Sequence, residues 1–202
     1  MSTDTKLDPY TAKATNNDLT TQQKITDLHK IVKGAGIAML VSRASSGHLH
    51  SRAMAPAGPT SDSQTTLVFI TNNATEKVEE IENDDHVNVS FYDNSTTSWA
   101  SYCGIATIVN DKELIKKHWN PMVAGYFGDL GDGIHKGDVN DPRVSAIQVT
   151  PEEIHYWFST SGAVSRTAQV AVGAVTGKTA APGELRTITQ AEIQLTQGLH
   201  TK

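Results

Sequence analysis

Between residues 37 and 158 the apolar side chains of this sequence come in short runs, alternating with polar ones or cut off by turn residues, and that spacing fixes the class of fold. Val87, Val89 and Phe91 recur at every second position, the period of a strand with one buried face. Residues 37–41, 48–54 and 66–71 are runs of the same kind, separated by Ser, Gly, Pro and Asp clusters. Ser45-Ser46-Gly47 reads as the turn of a hairpin joining the first two, and Pro56-Ala57-Gly58-Pro59 as the stop of the second. Asp93-Asn94-Ser95 joins 87–92 to 99–109 in another hairpin, and 144–149 and 154–158 supply the last strands. Strands and helices do not strictly alternate, so a doubly wound parallel sheet is excluded. A mainly β, antiparallel barrel or sandwich of six to seven strands with peripheral helices is expected.

The helical signals are few. Thr20 and Gln23 stand at capping-box spacing, Ile25, Leu28, Ile31 and Val32 follow at helical intervals, and Gly34 and Gly36 end the run. Asn72 or Asn73 is the expected cap of a helix in which Val78 and Ile81 form an apolar stripe opposite Glu76, Glu79, Glu80 and Glu82. Asp111 caps another through Trp119, Pro121 opens a short helical piece, and 128–142 is an Asp/Gly loop. Residues 1–19 lack periodic apolar residues and read as a loosely attached arm before a domain at 20–158. Residues 159–202 read as a Ser/Thr/Ala/Gly-rich extension in which the core has ended, with one short helix started by Thr189 and Glu192 and carrying Ile193 and Leu195.

At 202 residues and 38% hydrophobic, the chain supports one core and needs no disulfide. Cys103 is the only cysteine and no charged-then-apolar leader is visible, so a reducing, cytoplasmic setting is expected. No apolar run approaches the ~20 residues of a membrane helix. A net charge of −5, without Lys and Arg interleaved with aromatics, argues against nucleic acid as a partner.

Most chemistry-bearing residues have a plain structural reading. His48 and His50 share a strand face but lack a third ligand, so no metal site is expected. Asp129-Leu130-Gly131-Asp132-Gly133 lacks the ligand spacing of a calcium loop. Gly34-Ala35-Gly36 ends a helix before a strand, the reverse of a dinucleotide fingerprint. Cys103 reads as a buried, inert thiol, Trp99 and Trp157 as core, and no side chain stands out as a catalytic acid, base or nucleophile.

His50-Ser51-Arg52-Ala53-Met54, Phe69-Ile70-Thr71-Asn72, Thr75-Glu76-Lys77, Trp119-Asn120-Pro121-Met122 and Val149-Thr150-Pro151-Glu152 with Trp157 occur in an order that resembles the pyridoxamine 5'-phosphate oxidase-like proteins. The similarity is to their general stress protein and blue-light-inducible branch, over about residues 20–158. The resemblance implies a split β-barrel that binds FMN in a groove between the two subunits of a homodimer. It places the phosphate at Arg52 and Lys77, with Thr71 and Thr75 as hydroxyl donors. Ala53, Met54, Ile70 and Asn72 would lie along the flavin, and Trp119 of the second subunit would form a stacking wall.

A helix N-terminus with a nearby lysine is physically suited to that phosphate. Glu76 stands where the oxidases carry an arginine, Ala55-Pro56-Ala57 replaces a further basic residue, and no counterpart of their C-terminal substrate motif is found. Oxidation of pyridoxamine phosphate is therefore not expected. The implied function is a stress-related flavin oxidoreductase of unknown substrate, with a nicotinamide as electron donor, the alternative being a flavin-storing or flavin-sensing protein without turnover.

Overall fold

The computed structural model of the chain describes residues 7–16 and 18–198; residues 1–6 and 17 of the expected arm and 199–202 of the extension lie outside the described residues. Strand alternation organises it. Along β4 (His86–Asp93) Val87, Val89 and Phe91 point inward, and along β5 (Ser98–Val109) Ala100, Tyr102 and Ala106 do the same. With β1 (Ala38–Arg43), β2 (Leu49–Met54), β3 (Leu67–Asn72), β6 (Val144–Ser159) and β7 (Gly183–Ile188) they form one seven-stranded antiparallel sheet. Its order is β2-β1-β4-β5-β6-β3, with β7 also on β6. Ala57, just past β2, bridges to Val68 of β3, its amide donating to the Val68 carbonyl at 2.7 Å. That contact joins the two ends of the strand order and curls the sheet into a half-barrel, the split-barrel architecture expected from the resemblance.

The two late strands read from the sequence are one. β6 runs through Pro151 and pairs with β5 along almost its whole length. On its other side residues 144–149 pair with β3 and residues 154–159 with β7. Pro151 donates no ladder bond, and the register shifts opposite it, between Cys103 and Gly104. A Cβ on Gly104 would lie 2.3 Å from the Thr150 carbonyl oxygen, so only glycine lets the two strands approach here.

Six α-helices and one 3-10 turn surround the sheet among the described residues. α2 (Thr21–Ala35) begins with the expected Thr20–Gln23 capping box and ends at Gly36, whose φ of 69° favours glycine. It sets Ile25, Leu28, Ile31 and Val32 into the core, where Leu40, Phe69, Val89, Tyr102, Ile147 and Tyr156 meet them. Each such buried side chain contributes about 1.5–3 kcal/mol of transfer free energy.

Among the described residues, the segments before α2 and after β6 carry more secondary structure than the composition suggests. Asp8 accepts from the Thr11 amide at 3.0 Å and Pro9 presets the first turn, so residues within the expected arm fold as α1 (Pro9–Ala14). Tyr10 of α1 stacks on Trp157 with ring centroids 5.7 Å apart.

Beyond Phe158 the core continues: after α5 (Ala163–Thr176), β7 and α6 (Gln190–Gly198) bring Ile188 and Ile193 fully inside. Arg186 of β7 lies buried between Asp27 at 2.6 Å and Glu184 at 2.6 Å, and Lys24 reaches Glu192 at 2.8 Å. The Thr189–Glu192 capping box expected for α6 is present.

Two side chains face the other way from their expected placement. Tyr102 occupies the inward phase of β5, which puts Trp99 and Cys103 on the outer face, both exposed. No described helix is long and apolar enough to cross a membrane.

Candidate functional site

At the rim where β2 and β3 end lies a groove of about 840 Å3. α3 (Glu76–Asn83) enters on one side. The end of α4 (Lys112–His118) and the 3-10 segment Pro121–Tyr126 close the other. Asp111 caps α4, Asn120 caps the 3-10 turn by accepting from the Met122 amide at 3.0 Å, and Trp119 projects between them to lie 6.0 Å from Phe127, centroid to centroid. Ala53, Met54, Ile70, Thr71, Asn72, Thr75, Lys77 and Trp119, all singled out from the sequence, line this one groove. Trp119 lies in the same chain's groove as Lys77, where the resemblance had supplied it from a second subunit.

The entry of α3 differs from the capping read in the sequence. Its N-cap is Thr75, not Asn72 or Asn73, and no side chain bonds its first amides. The Asn72 side chain instead accepts from the Ala74 amide at 2.9 Å, and Thr75 Oγ1 donates to the Asn72 carbonyl at 2.7 Å. Lys77 Nζ donates to Thr75 Oγ1 at 2.8 Å, which holds the ammonium beside the open helix end. Burial, then the positive charge of Arg52, lower the Lys77 pKa, with Glu80 opposing them. Glu76 is exposed and is not among the lining residues.

Arg52 is the one site residue that the groove does not include. It lies under α3, where its Nη2 donates to Glu80 at 2.7 Å and its Nη1 to Ser42 Oγ. Glu80, expected on the solvent face, is 6% exposed and also accepts from Ser42, and it lies 2.5 Å from His50 Nδ1. Burial pushes the Glu80 carboxyl up, but hydrogen bonds from Ser42, His50 and Arg52 and the guanidinium charge outweigh it and bring its pKa down to about 2. A carboxylate can be buried here because donors surround it on β1 and β2.

Sequence reading missed Lys117, His118, Tyr126 and Phe127, which complete the far wall. The signal was available, since Lys116, Lys117 and His118 form a basic last turn immediately before the chosen Trp119. Burial, then the charge of Lys117, lower the His118 pKa. Among the described residues the lining thus carries Lys77, Lys117 and His118 and no carboxylate, a surface suited to an anionic ligand with an apolar, planar body.

Comparison with known proteins agrees with this architecture. Residues 23–181 match the family described as pyridoxamine 5'-phosphate oxidase like. The chain is 40% identical over 194 residues to Protein bli-3 of Neurospora crassa, covering 96% of this chain and 92% of that one. Among solved structures it superposes on a general stress protein 26 of a Jannaschia species with a TM-score of 0.65, at 18% identity, over 83% of this chain and 98% of that one. It also superposes on a pyridoxamine 5'-phosphate oxidase-related, FMN binding protein of Nostoc punctiforme with a TM-score of 0.53, at 14% identity, over 65% and 80%. The family match over most of the chain, the 40% identical relative and the half-barrel together establish that this chain belongs to the pyridoxamine 5'-phosphate oxidase-like family.

Proposed function

We propose that the groove binds FMN and that the protein works as a cytoplasmic, stress-related flavin oxidoreductase, assembled as a homodimer and reduced by a nicotinamide donor. The observation that carries this reading is the pairing of Lys77 with an uncapped helix end at the edge of a groove otherwise walled by Met54, Ile70 and Trp119. The residues fit the group. A volume of about 840 Å3 lies within the usual range for cofactor sites, and no lining carboxylate repels a phosphate. The open α3 amides and Lys77 would hold the phosphate, joined by the Thr71 and Thr75 hydroxyls once they turn from the Asn72 carbonyl. Ala53, Met54 and Ile70 would flank the ring system, with Asn72 at its phosphate side and Trp119 and Phe127 as an aromatic wall. When bound, FMN supplies the electron transfer, and the protein positions it and excludes water. The Nostoc neighbour described as FMN-binding supports the choice of cofactor.

The dimer is supported by an exposed apolar face. Met39, Tyr92 and Trp99 are 41%, 56% and 37% exposed on β1, β4 and β5, and Ile37 belongs both to this face and to the groove rim. A second copy on that face would close the groove mouth.

The test is the visible absorption spectrum of purified protein before and after FMN addition, with heat-released ligand identified by chromatography. A bound flavin spectrum that NADH or NADPH bleaches is the expected result. A flavin spectrum that neither donor bleaches points to storage or sensing. Protein that binds neither FMN nor riboflavin overturns the reading.

A further inference from the structure

Beside the groove a second cation is present but engaged elsewhere. On β2, His50 and Arg52 point to the same side of the sheet as Leu40 and Ser42 of the neighbouring β1, since Ser42 pairs with His50 and Leu40 with Arg52 in register. α3 crosses above them and lowers Glu80 into the space between. Lys77 stands one helical turn earlier, so the same helix that presents a lysine to the groove presents a carboxylate to Arg52. Arg52 stands close to the groove: Met54, two residues along β2 and on the same face, lines it, and Lys77 of the helix that Arg52 bonds lines it too. With Arg52 paired to Glu80, Lys77 is the cation that this end of the groove presents to a ligand.

We infer that Glu80 sets how strongly this groove prefers a phosphorylated flavin, by holding Arg52 out of contact with the phosphate. The inference rests on the flavin reading above. Glu80 is a positioning residue in this account: it touches no ligand and acts through Arg52. With Glu80 in place, Lys77, the threonine hydroxyls and the helix end alone separate FMN from riboflavin, which shares the ring and lacks the phosphate. Removing the Glu80 charge leaves a guanidinium without its counter-ion beside an anion-binding site, and a bound phosphate becomes the anion available to pair with it.

The test measures dissociation constants for FMN and for riboflavin by flavin fluorescence quenching in the full chain and four variants, with folding checked by thermal melts. Glu80→Gln is expected to tighten FMN about tenfold while riboflavin is unchanged, the worth of one charged hydrogen bond. Glu80→Asp keeps the charge and is expected to keep the wild-type ratio. Arg52→Gln alone is expected to leave the ratio where it is, and Arg52→Gln added to Glu80→Gln to abolish the gain.

Two results overturn the inference while leaving the flavin reading intact. If Arg52→Gln alone weakens FMN about tenfold and spares riboflavin, the guanidinium already grips the phosphate. If Glu80→Gln weakens both flavins alike, Glu80 only fastens α3 to β2. Wild-type protein that binds neither flavin overturns the flavin reading and this inference with it. The Glu80→Gln, Arg52→Gln double variant replaces the ion pair with two amides, so it keeps the comparison open should Arg52→Gln alone fail to fold.

Discussion

Lys77 and Glu80 occupy one turn of α3, and their environments give them opposite duties. Among the described residues no carboxylate lies within bonding distance of Lys77, which faces the groove. Lys77→Ala is expected to weaken FMN by about tenfold or more while costing riboflavin less, a difference that paired titrations of the two flavins detect. Glu80 leaves a signature in acid. Its carboxyl ordinarily titrates near 4.5 and is held to about 2 in the folded chain, so the unfolded state takes up the proton first as pH falls. The stability it contributes is present above about pH 4.5 and is lost progressively down to about pH 2. Glu80→Gln is expected to flatten that part of the stability profile, measured by urea denaturation at a series of pH values. No pattern in the sequence joined Glu80 to Arg52, because their contact is made between a helix and a strand that only the folded sheet brings together. The motif singled out Arg52 for the phosphate; the structure pairs it with Glu80, outside the groove lining.

At the scale of elements, the legible parts were those whose signal is local. The Thr20–Gln23 box and the stripe Ile25, Leu28, Ile31 and Val32 define α2 from a dozen residues. Thr20→Ala is expected to cost about 1 kcal/mol of stability, measured by denaturant unfolding. The phase of β5 was not legible, since Trp99, Tyr102 and Cys103 are all residues a core accepts and only pairing with β4 and β6 decides which point inward. β7 was missed for a related reason. One of its inward positions is Arg186, which is buried because Asp27 and Glu184 receive it, so the strand carries no apolar alternation to read. Gly104 is the clearest single lever on the sheet. Gly104→Ala places a methyl group against the Thr150 carbonyl and the Pro151 backbone, neither of which is a flexible side-chain end. A loss of more than about 3 kcal/mol or failure to accumulate folded protein is expected, read by thermal melting and soluble yield.

For the whole molecule, the outer sheet face predicts assembly. Met39→Glu and Trp99→Glu together are expected to convert a dimer to monomer in sedimentation velocity and to loosen FMN, because Ile37 makes that face continuous with the groove. A monomeric double variant with unchanged FMN affinity would detach the groove from the interface. The course of β6 has a consequence for biosynthesis. Its first half must find β3, made some 75 residues earlier, and its second half is left with an open edge until β7 is made. Ile188 and Ile193 then seal the core that Ile25 and Leu28 began. A nascent chain stalled before residue 183 therefore holds an unsealed core and an unpaired strand on the ribosome, the state that chaperones bind and proteases cut. The core that α2 begins is thus closed only by β7 and α6, the last elements described along the chain.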